Sequence, residues 1–132
     1  DLLSIGTAAG WRMRAARGAI SYQAGFAAEE QVAQLYNRSG RLICARRWRG
    51  QSGEIDLIAR DGAEVIFIEV KQSRTHAQAA EHLTPRQIAR IYGAASEFLA
   101  GEPAGQLTDV RFDVALVDGA GRIEILENAC AA

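Results

Sequence analysis

The sequence has few of the residues that build disulfide-rich, zinc-binding or membrane proteins. Two cysteines and two histidines among 132 residues are too few for a disulfide framework and show no zinc-ligand spacing. We expect Cys44 to be a small core residue of a strand, and His76 and His82 to be surface or loop residues. No apolar run is long enough to cross a bilayer, and the run at residues 2–5 is too short for a signal peptide. These absences favour a cytoplasmic protein that does not enter a membrane.

The sequence also lacks an excess of either charge, because its formal net charge is −1. Such a balance gives no overall indication of nucleic-acid binding, so any affinity for DNA has to come from local clusters of arginine. Each cluster is explained equally well as a solvated surface. The clusters are Arg12, Arg14 and Arg17, then Arg46, Arg47 and Arg49, and then Arg86 and Arg90.

Length and composition predict one globular domain, since 48% of the 132 residues are hydrophobic. Residues 1–22 show no clean periodicity and are expected to form an arm that precedes a domain over residues 23–132. The chain begins at Asp1 and its only methionine is Met13. We therefore expect residues 1–12 to be a non-native or overextended start.

Hydrophobic periodicity predicts the element order α-β-β-β-α-β-β, which is an α/β fold. The first helix is expected over residues 24–38, with Phe26, Val32, Ala33 and Tyr36 in its apolar stripe. A second helix begins after the cap Thr84 and ends before residue 101. Strands are expected over residues 42–48, 54–60, 64–71, 110–117 and 123–126, and a loop over residues 72–83.

The most informative feature is a set of charged residues inside an otherwise apolar hairpin. A hairpin loop of two or four residues centred on residues 61–62 would place Asp56 opposite Phe67 and Glu54 opposite Glu69. Asp56 and Glu69 would then be diagonal neighbours on one face, with Cβ atoms roughly 7 Å apart or less. A three-residue loop would separate them onto opposite faces. The other face is expected to be apolar and to pack on a helix, and it carries Ile55, Leu57, Ala59, Ile66, Ile68 and Val70.

Two carboxylates at this distance suit a shared Mg²⁺ or Mn²⁺ ion, which would activate a water and polarise a phosphodiester. The interpretation assigns Asp56 and Glu69 as metal ligands, the carbonyl of Val70 as a third ligand and Lys71 as the catalytic lysine. Glu29, projected from the first helix, is a further candidate catalytic residue that could hold a second ion or its water, and Glu54 is a further candidate ligand. The alternative is an ordinary edge hairpin with solvent-facing ion pairs, because Asp-x₁₂-Glu-x-Lys is a weak pattern on its own.

Several blocks of the chain stand in the order and spacing of the YraN-like family of uncharacterised bacterial proteins. The blocks are Glu29, Gly40, residues 53–58 (GEIDLI), residues 68–71 (IEVK), Thr84 and residues 111–114 (RFDV). The chain resembles this family over about residues 25–127. The family is similar to archaeal Holliday-junction resolvases and to the wider PD-(D/E)XK nuclease superfamily. The resemblance implies a restriction-endonuclease-like mixed sheet flanked by helices, and it favours Glu29 over Glu30 as the helix glutamate.

The resemblance also implies a DNA partner, with RNA as a further option, and resolvase-like nucleases often act as homodimers. Candidate nucleic-acid-binding residues are Arg47, Arg49, Arg74, Arg86 and Arg90. The chain departs from the family pattern at Arg47, where asparagine is usual, and at Ser73 and Gln87, where basic residues are usual. Arg111 and Asp113 share one strand face, and we expect them to pair with neighbours rather than to act in the site.

Three functions follow as expectations. The first is a metal-dependent endonuclease acting on branched or damaged DNA. The second is a non-catalytic nucleic-acid-binding module, which the departures at Ser73 and Gln87 favour. The third is an assembly partner in a DNA-processing complex, with Trp11 and Trp48 exposed as its contact surface.

Overall fold

Five strands form one mixed sheet with helices on both faces. The computed structural model describes residues 25–129, so the expected arm over residues 1–22, with Trp11, lies outside the described residues. The elements in chain order are helix α1 (25–38), strands β1 (Leu42–Arg49), β2 (Glu54–Asp61) and β3 (Glu64–Gln72), helices α2 (His76–Glu81) and α3 (Pro85–Leu99), a 3₁₀ turn (Gly105–Leu107), and strands β4 (Val110–Val117) and β5 (Ile123–Leu126).

The strands lie in the order β1-β2-β3-β4-β5. Neighbouring strands are antiparallel, except that β3 and β4 are parallel. A parallel pair needs a long crossover, which α2 and α3 supply. The predicted mixed sheet flanked by helices is therefore confirmed. Within residues 25–129, none of the helices has the length and apolarity that crossing a bilayer requires.

Helix α1 covers one face of the sheet. Its buried residues Val32, Ala33 and Tyr36 pack against the hairpin of β2 and β3. The hairpin residues in this cluster are Leu57, Ala59, Ile66 and Ile68, with Val70 at its edge. The expected contact between an apolar hairpin face and a helix is therefore confirmed. Phe26 is half exposed, so its place in the buried stripe was wrong; its ring lies against the guanidinium of Arg47 instead.

Helix α3 covers the opposite face. Thr84 accepts a hydrogen bond from the backbone N–H of Gln87, whose side chain accepts in return from the N–H of Thr84, and Pro85 occupies the first turn. This capping box fixes where α3 begins, as the sequence predicted. Trp48 is half-buried and packs edge-to-face on Phe98, with ring centroids 5.5 Å apart. The expectation of an exposed Trp48 is therefore wrong.

The hairpin register differs from the prediction by two residues. Asp61 pairs with Glu64, so the loop is Gly62 and Ala63, with Gly62 in the left-handed region at φ 61°. Phe67 therefore lies opposite Ile58 rather than Asp56. Because the difference is an even number, side chains keep their predicted faces over most of the hairpin.

Side-chain alternation fails at the start of β2. Ile55 and Ile58 both belong to the cluster under α3, although they are three positions apart. Leu57 faces α1 as predicted, so Ile55 was placed on the wrong face. The alternation of side chains between the two faces breaks at Asp56. Across from Asp56, Arg47 of β1 has a left-handed φ of 47°. A local distortion of both strands therefore sets Asp56 apart from the regular ladder.

Two further expectations were wrong. The segment over residues 72–83 is not all loop, because Thr75 caps the six-residue helix α2 and Ala79 is its one buried residue. A single buried position leaves no periodic pattern in the sequence. Cys44 is exposed, since it lies where the register of edge strand β1 shifts between Ile43 and Ala45.

Candidate active site

Asp56 and Glu69 lie next to each other where the β2–β3 hairpin opens. The regular pairing ends at Leu57 and Ile68, the residues that follow Asp56 and precede Glu69. Beyond that point, the backbone N–H of Val70 donates to Oδ2 of Asp56 at 2.8 Å. The Asp56 carboxylate thus accepts the hydrogen bond that a backbone carbonyl would accept in a regular sheet. This bond holds the Asp56 side chain against β3. The two predicted metal ligands are brought together.

The surroundings of Glu69 disfavour its charged form. Burial, the charge of Asp56 and a hydrogen bond shared with Asp56 raise the pKa of Glu69 to about 9. Lys71 lies 3.5 Å away and acts in the opposite direction, but it does not outweigh these causes. The side chains of Glu69 and Lys71 are only 14% and 15% exposed, so solvent does little to relieve the repulsion. These surroundings therefore favour a proton or a cation beside Glu69.

The other two predicted carboxylates are each held by an arginine of β1. Arg47 donates through Nε and a terminal nitrogen to both oxygens of Glu29, at 2.9 Å and 3.0 Å. Burial is the main cause that raises the pKa of Glu29, with Asp56 and Glu54 adding to it against Arg47. Arg49 donates to Glu54 at 2.8 Å from an exposed position. Neither Glu29 nor Glu54 is part of a compact metal cluster with Asp56 and Glu69.

The oxygen ligands that the described residues place near the cavity are few. Among residues 25–129, no three His, Cys, Asp or Glu side chains lie close enough together to hold a metal. Two carboxylates of different strands, Asp56 and Glu69, remain, with the adjacent carbonyl of Val70. Mg²⁺ and Mn²⁺ accept one or two carboxylates and keep several waters. The residues present therefore fit a solvated divalent ion rather than one enclosed by protein ligands.

A cavity of about 240 Å³ opens beside the two carboxylates. Its lining comes from the start of β2, from β3 and from the first half of α3: Gly53, Glu54, Asp56, Glu69, Gln87, Arg90 and Ile91. Arg90 and Arg86 are exposed on α3 and have no ion pair within the described part of the chain. Arg90 is thus the predicted nucleic-acid-binding residue that the fold places at the site itself.

The remaining predicted basic residues have different surroundings. Arg74 is exposed after β3, where its carbonyl accepts from the N–H of Gly119. Arg47 and Arg49 are committed to Glu29 and Glu54. Of the predicted basic residues, Arg90 lines the cavity without an ion partner among the described residues, and Arg86 lies one helical turn before it on α3.

The loop of residues 50–53, which leads into β2, is fixed on α3. The carboxylate of Glu97 accepts from the backbone N–H groups of Gln51 and Ser52 at 2.8 Å and 3.0 Å. These bonds lower the pKa of Glu97. A Cβ at Gly93 would lie 2.6 Å from Cβ of Ser52, so only glycine allows this approach. Neither Gly93 nor Glu97 was predicted as a site residue, and the one signal available in the sequence was a glycine inside a helical pattern.

Asp113 and Arg111 form a structural network away from the cavity. Asp113 is 1% exposed and accepts from Arg111 through both oxygens at 2.8 Å. Tyr36 of α1 donates its hydroxyl to Asp113 at 2.6 Å, and burial together with this bond raises the pKa of Tyr36. The backbone N–H of Asn128 adds a further bond. These residues pair with neighbours, as the sequence analysis expected.

Comparison with known proteins finds bacterial relatives that the chain matches over most of their length. The family model described as "Uncharacterised protein family UPF0102" matches residues 28–117. A UPF0102 protein of Cereibacter sphaeroides strain ATCC 17025 is 72% identical over 115 residues, which cover 87% of this chain and 98% of the relative. A UPF0102 protein of Ruegeria pomeroyi is 62% identical over 87% of this chain and 94% of its own. One from Dinoroseobacter shibae is 43% identical, covering 89% and 87%.

Proposed function

The chain belongs to the uncharacterised protein family UPF0102, and we propose that it is a Mg²⁺- or Mn²⁺-dependent endonuclease that hydrolyses phosphodiester bonds in DNA. The observation that carries the proposal is that Asp56 and Glu69 lie together at one cavity, where burial and the charge of Asp56 disfavour the charged form of Glu69. Lys71 lies within 3.5 Å of this pair. Such a charge arrangement is costly in a structural role and typical of a site that binds an ion.

Each residue of the site has a role in the proposed reaction. Asp56, Glu69 and the carbonyl of Val70 would hold the ion, which supplies an activated water and polarises the phosphate when bound. The ammonium of Lys71 orients the attacking water or stabilises charge on the phosphate oxygens. Arg90, at the rim of the cavity, binds a neighbouring phosphate, and Gln87 beside it contributes a neutral amide.

The open shape of the site supports a polymeric substrate. The cavity lies at the surface beside exposed Arg86 and Arg90, so a polymer can pass across it without being enclosed. We propose branched or damaged DNA as the substrate and the bacterial cytoplasm as the location. RNA is a second polymer with the same backbone charge, and the assay below compares the two.

The proposal is tested by metal-dependent cleavage. Wild-type protein would be incubated with Mg²⁺ or Mn²⁺ and a panel of single strands, duplexes, flaps, four-way junctions and RNA. The key variant is Asp56→Asn, which keeps an oxygen acceptor for the N–H of Val70. Asp61→Asn is the matched control, because Asp61 lies on the same strand with its side chain 53% exposed. We expect Asp56→Asn to lose at least about 100-fold in rate, and the control to cleave like wild type.

A second function has one specific observation in its favour. Three of the four carboxylates near the site already have a basic partner, namely Glu29, Glu54 and Glu69. A protein neutralised in this way could bind nucleic acid without cutting it. Salt-sensitive binding by wild type, reduced in Arg90→Ala, with no cleavage of any substrate under either metal, would favour this module over the nuclease.

A further inference from the structure

We propose that the guanidinium of Arg47 takes the position of a second cation beside the carboxylates, so that each chain binds one divalent ion and Glu29 is not a metal ligand. The inference rests on the proposed function, because it concerns the ion held by Asp56 and Glu69. It assigns to Arg47 a positioning role that differs from the DNA contact expected from the sequence.

Both oxygens of Glu29 are used by Arg47. The two bonds are 2.9 Å and 3.0 Å long and run from Nε and a terminal nitrogen of the guanidinium. The ring of Phe26 lies 4.4 Å from the guanidinium carbon, so the group is stacked as well as hydrogen-bonded. With the Glu29 side chain 17% exposed, this bidentate pair is stronger than an ordinary surface ion pair.

The backbone of β1 is distorted at the residue that makes this pair. Arg47 has a φ of 47°, a region that residues other than glycine and asparagine rarely adopt. In a regular strand, consecutive side chains point to opposite faces. Here both Arg46 and Arg47 reach helix α1, where they pair with Glu30 and Glu29. The left-handed residue thus allows two successive arginines to neutralise two successive glutamates.

The register brings Arg47 beside the site. Its neighbours Arg46 and Trp48 pair with Leu57 and Ile55, so Arg47 lies across from Asp56. Glu29 is close enough to Asp56 for the two charges to repel each other. A second metal ion near Glu29 would have to displace the guanidinium of Arg47. This guanidinium is part of the chain, so it loses no translational freedom when it pairs with Glu29, whereas a free ion does. Glu29 is therefore unavailable as a ligand while Arg47 is present.

The test counts bound Mn²⁺ per chain by electron paramagnetic resonance of the free ion, without a substrate. Arg47→Asn removes the guanidinium and keeps a residue that tolerates a positive φ. Arg47→Gly is a second variant with no backbone strain at that φ, in case the first does not fold. Arg46→Asn is the matched control, since it breaks the neighbouring pair with Glu30 on the same strand.

We expect one ion for wild type, Glu29→Gln and Arg46→Asn, and two ions for both Arg47 variants. The double variant Arg47→Asn with Glu29→Gln should return to one ion, because the second site needs the free carboxylate. Two ions in wild type, with one lost in Glu29→Gln, would overturn the inference. One ion in both Arg47 variants would overturn it as well. An absence of bound ion in every variant would overturn the proposed function itself, and this inference with it.

Discussion

Two carboxylate sites on the same sheet have opposite surroundings. Asp113 is almost fully buried, and four hydrogen bonds from Tyr36, Arg111 and Asn128 reach its two oxygens. Glu69 is largely buried, with its side chain 14% exposed, yet its nearest partners are another carboxylate and one lysine at 3.5 Å. Asp113 is therefore satisfied within the protein, whereas Glu69 needs something added. Burial of a carboxylate alone does not distinguish a structural site from a functional one. The two are distinguished by the hydrogen-bond donors and charged groups that contact the carboxylate.

The largest expected effect on stability comes from removing Asp113, the carboxylate whose oxygens are hydrogen-bonded within the protein. Within the described residues, Asp113→Ala leaves Arg111 with only its longer ion pairs to Glu64 and Glu127, at 3.9 Å each, and the Tyr36 hydroxyl without its acceptor. We expect a loss of about 3–5 kcal/mol in the free energy of unfolding, measured by urea denaturation monitored by circular dichroism. Tyr36→Phe removes one bond to a charged acceptor and should cost about 1.5–3 kcal/mol. The exposed control Asp61→Ala should change stability by less than about 0.5 kcal/mol.

If Asp113→Ala were as stable as the control, the network would not hold α1 to the sheet. The two variants together separate the ion pair from the tyrosine bond. Equal losses in Asp113→Ala and Tyr36→Phe would mean that the hydroxyl bond, rather than Arg111, carries the effect.

The second-largest expected effect is a gain in the free energy of unfolding rather than a loss. Glu69→Gln removes the group that Asp56 repels, so at pH 8 the metal-free variant should be more stable than wild type by about 1–3 kcal/mol. The same variant should lose Mn²⁺ binding, since an amide is a poor ligand in this position. Urea denaturation in the presence of a chelator measures the first result, and a Mn²⁺ titration measures the second.

The stability of the metal-free wild-type protein should change with pH in one direction. The pKa of Glu69 is about 9 in the folded protein and 4.5 in the unfolded chain, so the folded state binds more protons between those values. Wild-type stability should therefore fall as the pH rises from about 5 to 9, and Glu69→Gln should lack that part of the fall. A variant that was less stable than wild type throughout this range would show that Glu69 is structural, like Asp113.

The smallest effect concerns the loop that positions the open site. Gly93→Ala adds a Cβ 2.6 Å from that of Ser52, so the loop of residues 50–53 has to move. Overpacking opposes a helix-propensity gain of about 1 kcal/mol, and we expect a net loss of about 1 kcal/mol together with weaker Mn²⁺ binding. Gly25→Ala in α1 is the control, because nothing lies within 4 Å of its added Cβ; it should be neutral or stabilising. An equal gain in both variants would contradict a close contact at Gly93.

Local patterns predicted most of the fold because they depend on neighbouring residues. Alternating apolar residues defined β2 and β3, and the Thr84 and Pro85 cap defined the start of α3. Helix α2 was missed because only Ala79 is buried in it. Cys44 was misplaced because the register shift in β1 changes which side chains of the edge strand are covered.

The candidate site was predicted in its residues but not in its geometry. The spacing of Asp56, Glu69 and Lys71 placed three charges on one hairpin, but the register differs by two residues and the regular pairing ends before Asp56 and Glu69 are reached. The pairing of Glu29 with Arg47 could not be predicted, because the two residues are 18 positions apart and a left-handed φ directs the arginine. The hydrogen bonds from the backbone of residues 51 and 52 to Glu97 could not be predicted for the same reason, since these partners lie about 45 positions apart in the sequence.

The sequence by itself determined the elements, their order and the chemistry available to the hairpin. Hydrophobic period, caps and turn residues are local properties that act before the chain is compact. Tertiary structure decided which charges are satisfied: Asp113 is paired with Arg111 and Tyr36, and Glu29 with Arg47, whereas Glu69 is buried beside the like charge of Asp56 with only Lys71, among the described residues, to offset it. The reason is that the energy of a charge depends on its burial and on the groups within a few ångströms, and folding sets both.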